Sequence, residues 1–211
     1  MKKLLFSTLI LFAAGCGLIK YSVEDVVEIG YESTVYVETQ HGHCTGFAID
    51  YDVVVTAAHC IDAPNAFMRF GDEKFVGEVL LDDNELDIAV IHTPERIKNI
   101  IPLLTNEHEL RDGEILVGVG FPFFAGKDIT FNIGSYAGFT RIDGTEILVA
   151  YDVCYRGNSG GPVLDSYGRV VGICSRIAPA IDIYDGFHHS HKDINILVPI
   201  KKVREILDGK K

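Results

Sequence analysis

Three separated stretches hold the residue types that nucleophilic catalysis needs. VVVTAAHC places His59 just past an apolar run, ELDIAVIH places Asp87 just before one, and RGNSGGPV sets Ser159 in a glycine-rich turn. Each alone has an ordinary explanation: a solvated histidine, an aspartate at a turn, a small residue between glycines. Together they supply a base, an orienting carboxylate and a nucleophile, in that order along the chain. A serine hydroxyl is a poor nucleophile at neutral pH, so an imidazole must take its proton and later return it to the leaving amine. A carboxylate on the other ring nitrogen fixes the tautomer and stabilises the imidazolium. Asp82, Asp83 and Glu85 lie close enough in sequence to compete with Asp87 for that place.

The elements that must position these residues read as short strands. STVYVE, CTGFAI, DVVVTA, AFMRF, KFVGEVLL and DIAVIH form a first run of apolar or alternating segments broken by turns. A proline- and charge-containing connector, residues 93–113, interrupts the pattern. EILVGVGF, DITFNIGSYAGFT, TEILVAYD, GPVLD, RVVGICS and INILVPI form a second run. The tail KKVREILDGKK spaces Val203, Ile206 and Leu207 as a helix does and stops at Gly209. The fold expected is all-β, two six-stranded units over residues 33–92 and 114–200, closed by a helix over 201–208.

A chain of 211 residues, 47% hydrophobic, can bury one large core or two small ones. Residues 1–15, MKKLLFSTLILFAAG, read as an export signal, with two lysines, an apolar run and small residues at its end; residues 16–32 read as a tether. Without that signal 17 Lys and Arg face 30 Asp and Glu, a net charge of −13. Such a surface repels phosphate, so nucleic acid and anionic headgroups are poor electrostatic partners and polypeptides acceptable ones. Five cysteines in an exported chain read as disulfide-permissive, and the odd count leaves one to explain.

TAAHC and GNSGGPV, with an acid opening the strand DIAVI, resemble the trypsin/chymotrypsin-like serine proteases over roughly residues 33–207. The resemblance implies a double β-barrel with the active site between barrels, His59 as general base, Asp87 rather than its neighbours as partner, and Ser159 as nucleophile. It also implies an oxyanion hole from the N–H groups of Gly157 and Ser159, a specificity pocket near Val153 and Cys154, and Ser175 either at that pocket and hydrogen-bonded to the catalytic Asp or an ordinary strand serine. Cys44 and Cys60, sixteen apart, match the family disulfide beside the catalytic histidine; Cys154 and Cys174 could be bonded or two buried thiols. Asn158 stands where digestive-type members carry the aspartate that pairs with a newly cut N-terminus. An amide cannot neutralise a buried ammonium. RGNSGG, GFPFFAG and INILVPI instead resemble the high-temperature-requirement (HtrA-like) branch, active without such cleavage, although nothing here reads as a PDZ domain.

LFAAGC resembles the bacterial lipobox, which implies lipidation of Cys16 and a membrane-anchored lipoprotein of the bacterial envelope. GFHHSHKDI holds His188, His189 and His191, but lacks Cys or a second acid at metal spacing, so neither a metal nor another cofactor is expected. The function expected is an exported serine endopeptidase acting on polypeptides. The alternative is a catalytically silent binding or structural lipoprotein on the same fold. Oligomeric state is left open.

Overall fold

A computed structural model describes residues 20–94, 97–104, 110–142, 144–178 and 194–209. Its strands are β1 (Thr34–Thr39), β2 (Gly42–Asp50), β3 (Val53–Thr56), β4 (Asn65–Phe70), β5 (Glu73–Asp83) and β6 (Ile88–His92) in a first set. The second set is β7 (Ile115–Gly120), β8 (Thr130–Ile142), β9 (Thr145–Tyr151), β10 (Pro162–Leu164), β11 (Val170–Ala178) and β12 (Ile194–Pro199). Each set closes into an antiparallel barrel, β1-β2-β3-β6-β5-β4 and β10-β11-β12-β9-β8-β7. This is the chymotrypsin-like double barrel, and closure leaves neither sheet with an open edge.

Strand alternation sorts side chains between two interiors. On β3, Val54 enters the core of the first barrel with Val35, Val37, Met68 and Ile91, whereas Val55 turns the other way. Phe47, Val55, Ile88 and Val90 thereby join the large cluster built around Leu116, Leu148, Leu164 and Ile173 of the second barrel. The barrels are thus fastened by one continuous apolar core, which fixes the cleft between them.

Among the described residues, two helices flank the second barrel. α2 (Ile200–Leu207) buries Ile200 and Val203. α1 (Val23–Ser33) occupies most of what the sequence suggested was only a tether. Its start is a capping box: the Ser22 hydroxyl accepts from the Asp25 N–H and the Asp25 carboxylate accepts from the Ser22 N–H. Val26 is buried, and Gly30 packs so closely on Val119 of β7 that a Cβ would lie 2.6 Å from its Cγ2. In the connector, the Leu104 N–H donates to Val170 O and the Val170 N–H to Pro102 O, laying that segment parallel against β11. No helix among the described residues is long and apolar enough to cross a membrane.

Candidate active site

β3 and β6 are hydrogen-bonded neighbours, with Thr56 opposite Ala89. His59 follows the end of β3 on a 3-10 turn (Ala58–Cys60), and Asp87 immediately precedes β6. Antiparallel pairing therefore delivers both to the same end of the barrel. The His59 ring Nδ1 lies 2.9 Å from Asp87 Oδ1 and 3.0 Å from Oδ2, and the His59 backbone N–H donates to Oδ1 at 3.1 Å. The carboxylate can only accept, so Nδ1 carries the proton and Nε2 is left with the lone pair. The His59 side chain is 45% exposed and that of Asp87 10%.

Asp87 sits at φ +57°, the left-handed region that Asp enters more readily than most residues. The residues that competed with it do other work. Asp83 caps the preceding turn by accepting from the Glu85 and Leu86 N–H groups, and Asp82 and Glu85 are exposed. Ser175 on β11 donates its hydroxyl to Asp87 Oδ2, so the carboxylate receives a bond from the second barrel as well. Burial pushes the Asp87 carboxyl up. The bonds from the His59 ring, Ser175 and the His59 N–H outweigh that and hold it below its ordinary value.

Ser159 is carried by the turn before β10. The Asn158 N–H donates to Tyr155 O at 2.9 Å across a turn whose third residue, Gly157, has φ +100°. A side chain at 157 is excluded by space as well, since its Cβ would lie 2.3 Å from Phe121 O. Gly160 is equally confined: a Cβ there would meet Thr56 Oγ1 at 2.1 Å, Thr45 O at 2.2 Å and Ala57 N at 2.7 Å. That contact places Ser159 against the strand end that leads into His59. Ser159 itself is partly exposed, and the Thr45 N–H donates to its carbonyl at 2.8 Å.

Cys44 and Cys60 are disulfide-bonded with Cα atoms 6.0 Å apart, fastening β2 to the His59 turn; a loop of this size gives ~3 kcal/mol in the chain-entropy treatment. The two sulfurs and the His59 ring lie within 4.8 Å of one another, but sulfurs bonded to each other offer a metal no thiolate. Cys154 and Cys174 are bonded as well, with Cα atoms 6.2 Å apart.

Val153 and Cys154 are fully buried, and their N–H groups both donate to the side-chain oxygen of Asn195, at 2.7 and 3.0 Å. The Asn195 amide in turn donates to Cys154 O at 3.2 Å. Sequence reasoning gave Asn195 no part, yet an Asn inside the apolar run INILVPI is the signal that could have found it. A fully buried amide there must be satisfying backbone. Asn158 is also buried, beside Gly120, and its amide has no hydrogen-bond partner among the described residues. Cys16 and the histidines and acids of residues 179–193 lie outside the described residues.

The sequence profile of the trypsin-like peptidase domain family matches residues 44–173, more than half of the chain. A probable periplasmic serine endoprotease, DegP-like, of Chlamydia muridarum is 28% identical over 172 residues, 78% of this chain and 33% of that protein. Its counterpart of the same description in Rhizobium meliloti is 33% identical over 142 residues, 63% of this chain and 27% of that protein. The chain therefore spans about a third or less of the length of these relatives. Among solved structures, the inactive form of the Rv3671c protease superposes with a TM-score of 0.73 at 22% identity, covering 87% of this chain and 91% of that one. The HtrA-type protease AlgW with a decapeptide gives a TM-score of 0.72 at 16% identity, covering 89% of this chain and 67% of that one.

Proposed function

The chain belongs to the trypsin-like peptidase domain family, and on that premise we propose that it is a serine endopeptidase with Ser159 as nucleophile, His59 as general base and Asp87 as orienting carboxylate. The observation that carries this reading is the pair of bonds from His59 to Asp87, which leaves Nε2 the ring nitrogen able to take a proton. As Ser159 Oγ attacks the scissile carbonyl carbon, Nε2 accepts its proton and the carbonyl oxygen gains the negative charge. The N–H groups of Gly157 and Ser159 stabilise that oxyanion, each such donor being worth ~2.7 to 4 kcal/mol in measured cases. The tetrahedral species collapses, the C–N bond breaks, and Nε2 returns the proton to the leaving amine. Water then attacks the acyl ester by the same route and regenerates Ser159.

The enzyme acts without zymogen-type cleavage. Asn158 carries no charge with which to recruit a buried ammonium, and its amide is enclosed without a hydrogen-bond partner among the described residues. It is exported and held at the envelope membrane by acylation of Cys16, a location in keeping with the DegP-like relatives described as periplasmic. The floor proposed for the specificity pocket, Val153 and Cys154, brings no carboxylate among the described residues to pair with Lys or Arg; Asp182, Asp185 and Asp193 lie outside the described residues. Small to medium apolar P1 residues are preferred.

A peptide library incubated with protein whose intact mass begins upstream of Ser33 tests these points together. Cleavage after small or medium apolar residues, abolished in Ser159→Ala, is the expected result. Activity that arises only after trimming to a new N-terminus would contradict the first point, and a profile dominated by Arg or Lys the second.

A further inference from the structure

The peptide on each side of Gly157 is held by a bond from outside its own turn. Upstream, Arg156 O accepts from the Phe123 N–H at 2.8 Å. In a trans peptide C=O and N–H point in opposite directions, so this bond turns the Gly157 N–H away from the Phe123 segment. Downstream, Gly157 O accepts from the Thr45 hydroxyl at 2.9 Å. That hydroxyl spends its proton on Gly157 and uses a lone pair to accept from the Phe121 N–H at 3.0 Å.

Thr45 is fully buried, and its other polar atoms are committed too. Its N–H donates to Ser159 O at 2.8 Å, and its carbonyl accepts from the Thr56 hydroxyl at 2.7 Å. One residue of β2, in the first barrel, therefore touches the carbonyls of both residues whose N–H groups would bind the oxyanion, and also the strand end that leads into the Phe121–Phe123 segment. His43, two residues earlier, reinforces the same join: its Nε2–H donates to Phe121 O at 2.6 Å, with the ring stacked on Tyr36 and edge-on to Phe123. The motif GHCTGF draws attention to its cysteine, but the residue after it makes the contacts.

We propose that Thr45 is a positioning residue for oxyanion stabilisation: its side-chain hydroxyl orients the Gly157–Asn158 peptide, next to the one that carries the Gly157 N–H, and locks it to the Phe121 segment across the barrel junction. This rests on the serine-protease reading given above. Oxyanion donors contribute only when they are held where the charge will develop, because a donor that must reorganise during the reaction loses its advantage. Removing the hydroxyl leaves Gly157 O and the Phe121 N–H without their shared partner, and the turn relaxes toward whatever satisfies them. The Gly157 N–H moves with it.

The test compares Thr45→Val, which keeps shape and loses the hydroxyl, with Thr45→Ser, which keeps the hydroxyl. Thr45→Val should lower kcat by about 10- to 100-fold with KM changed by no more than about twofold, since a displaced donor costs less than a deleted one and acts on the transition state. Thr45→Ser should stay within about threefold of wild type. Peptide boronate affinity, which reads the tetrahedral adduct, should fall with kcat/KM, whereas binding of the uncleaved peptide in a Ser159→Ala background should not change. Should Thr45→Val fail to fold, Thr45→Ala, with room for a water beside the two freed groups, carries the same comparison. Amide hydrogen exchange at Phe121 and Asn158 reads the clamp independently of turnover and should quicken on loss of the hydroxyl. A kcat within about twofold of wild type in the hydroxyl-free variant, a loss that serine does not restore, or unchanged exchange would overturn the role of Thr45. A folded wild-type protein without turnover would instead count against the protease reading, and the exchange measurement would still decide the clamp.

Discussion

The Ser175 hydroxyl reaches across the cleft to donate to Asp87, a carboxylate 88 residues earlier in the chain and on the other barrel. Together with the two donors of His59, this bond offsets the burial that would otherwise raise the Asp87 carboxyl, and leaves it ionised below its usual range. The site and the junction between barrels are therefore coupled through one side chain.

A pH dependence of stability follows. A carboxyl whose folded pKa is depressed stabilises the fold above its unfolded value, about 4, and that contribution is lost as pH falls through the folded value. Urea unfolding from about pH 6 to about pH 3 should show the advantage of wild type over Asp87→Asn shrinking on the acid side. Asn is the apt replacement because it tolerates the left-handed backbone at this position. A gap that stays constant across the range would mean that Asp87 ionisation does not contribute.

Gly160 separates two reasons for a glycine. At φ +82° with Thr56 Oγ1 and Thr45 O within 2.2 Å of a Cβ, Gly160→Ala meets both backbone strain and collision, and should cost roughly 3 kcal/mol or more. Gly113, at φ +82° with nothing within 4 Å, meets strain alone, so Gly113→Ala should cost about 1 kcal/mol. Denaturant midpoints with unchanged slopes measure both. Equal losses would mean that the close approach of β2 and β3 to the serine turn is unimportant.

Much of this was legible in the sequence because local pattern determined it. Each of the twelve short runs with turn signals matches one of the twelve strands among the described residues, and the two sets of runs match the two barrels. The choice of Asp87 over Asp82, Asp83 and Glu85 as the neighbour of His59 comes from the resemblance, and the two lie together because β3 and β6, whose ends carry them, are paired strands. Thr45 and Asn195 were not legible, since their importance lies in backbone groups supplied by distant segments: Gly157 and Phe121 for one, Val153 and Cys154 for the other. Residue type records none of that. α1 was within reach. SVED is a capping-box pattern, and Val23, Val26 and Val27 keep helical spacing, but a helix this short is marginal by itself and depends on packing against β7 that the sequence does not display.

The anchor proposed at Cys16 is a covalent one. With residues 1–15 removed, 17 Lys and Arg against 30 Asp and Glu leave −13, a surface that charge does not draw to anionic bilayers; a covalent anchor would supply the attachment, and at ~0.8 kcal/mol per buried methylene it would need more than one acyl chain. Detergent phase partitioning should send the exported wild-type protein to the detergent phase and Cys16→Ser to the aqueous phase. If both stay in the aqueous phase there is no anchor.

The proposed activation of Ser159 by His59 and Asp87 is read by covalent labelling without knowledge of a substrate. A fluorophosphonate probe followed by intact-mass analysis should add one adduct per wild-type chain, located at Ser159 by peptide mapping, slowly or not at all to His59→Ala, and none to Ser159→Ala. Folded wild-type protein that remains unlabelled, or a Ser159→Ala protein labelled as fast as wild type, would contradict the account.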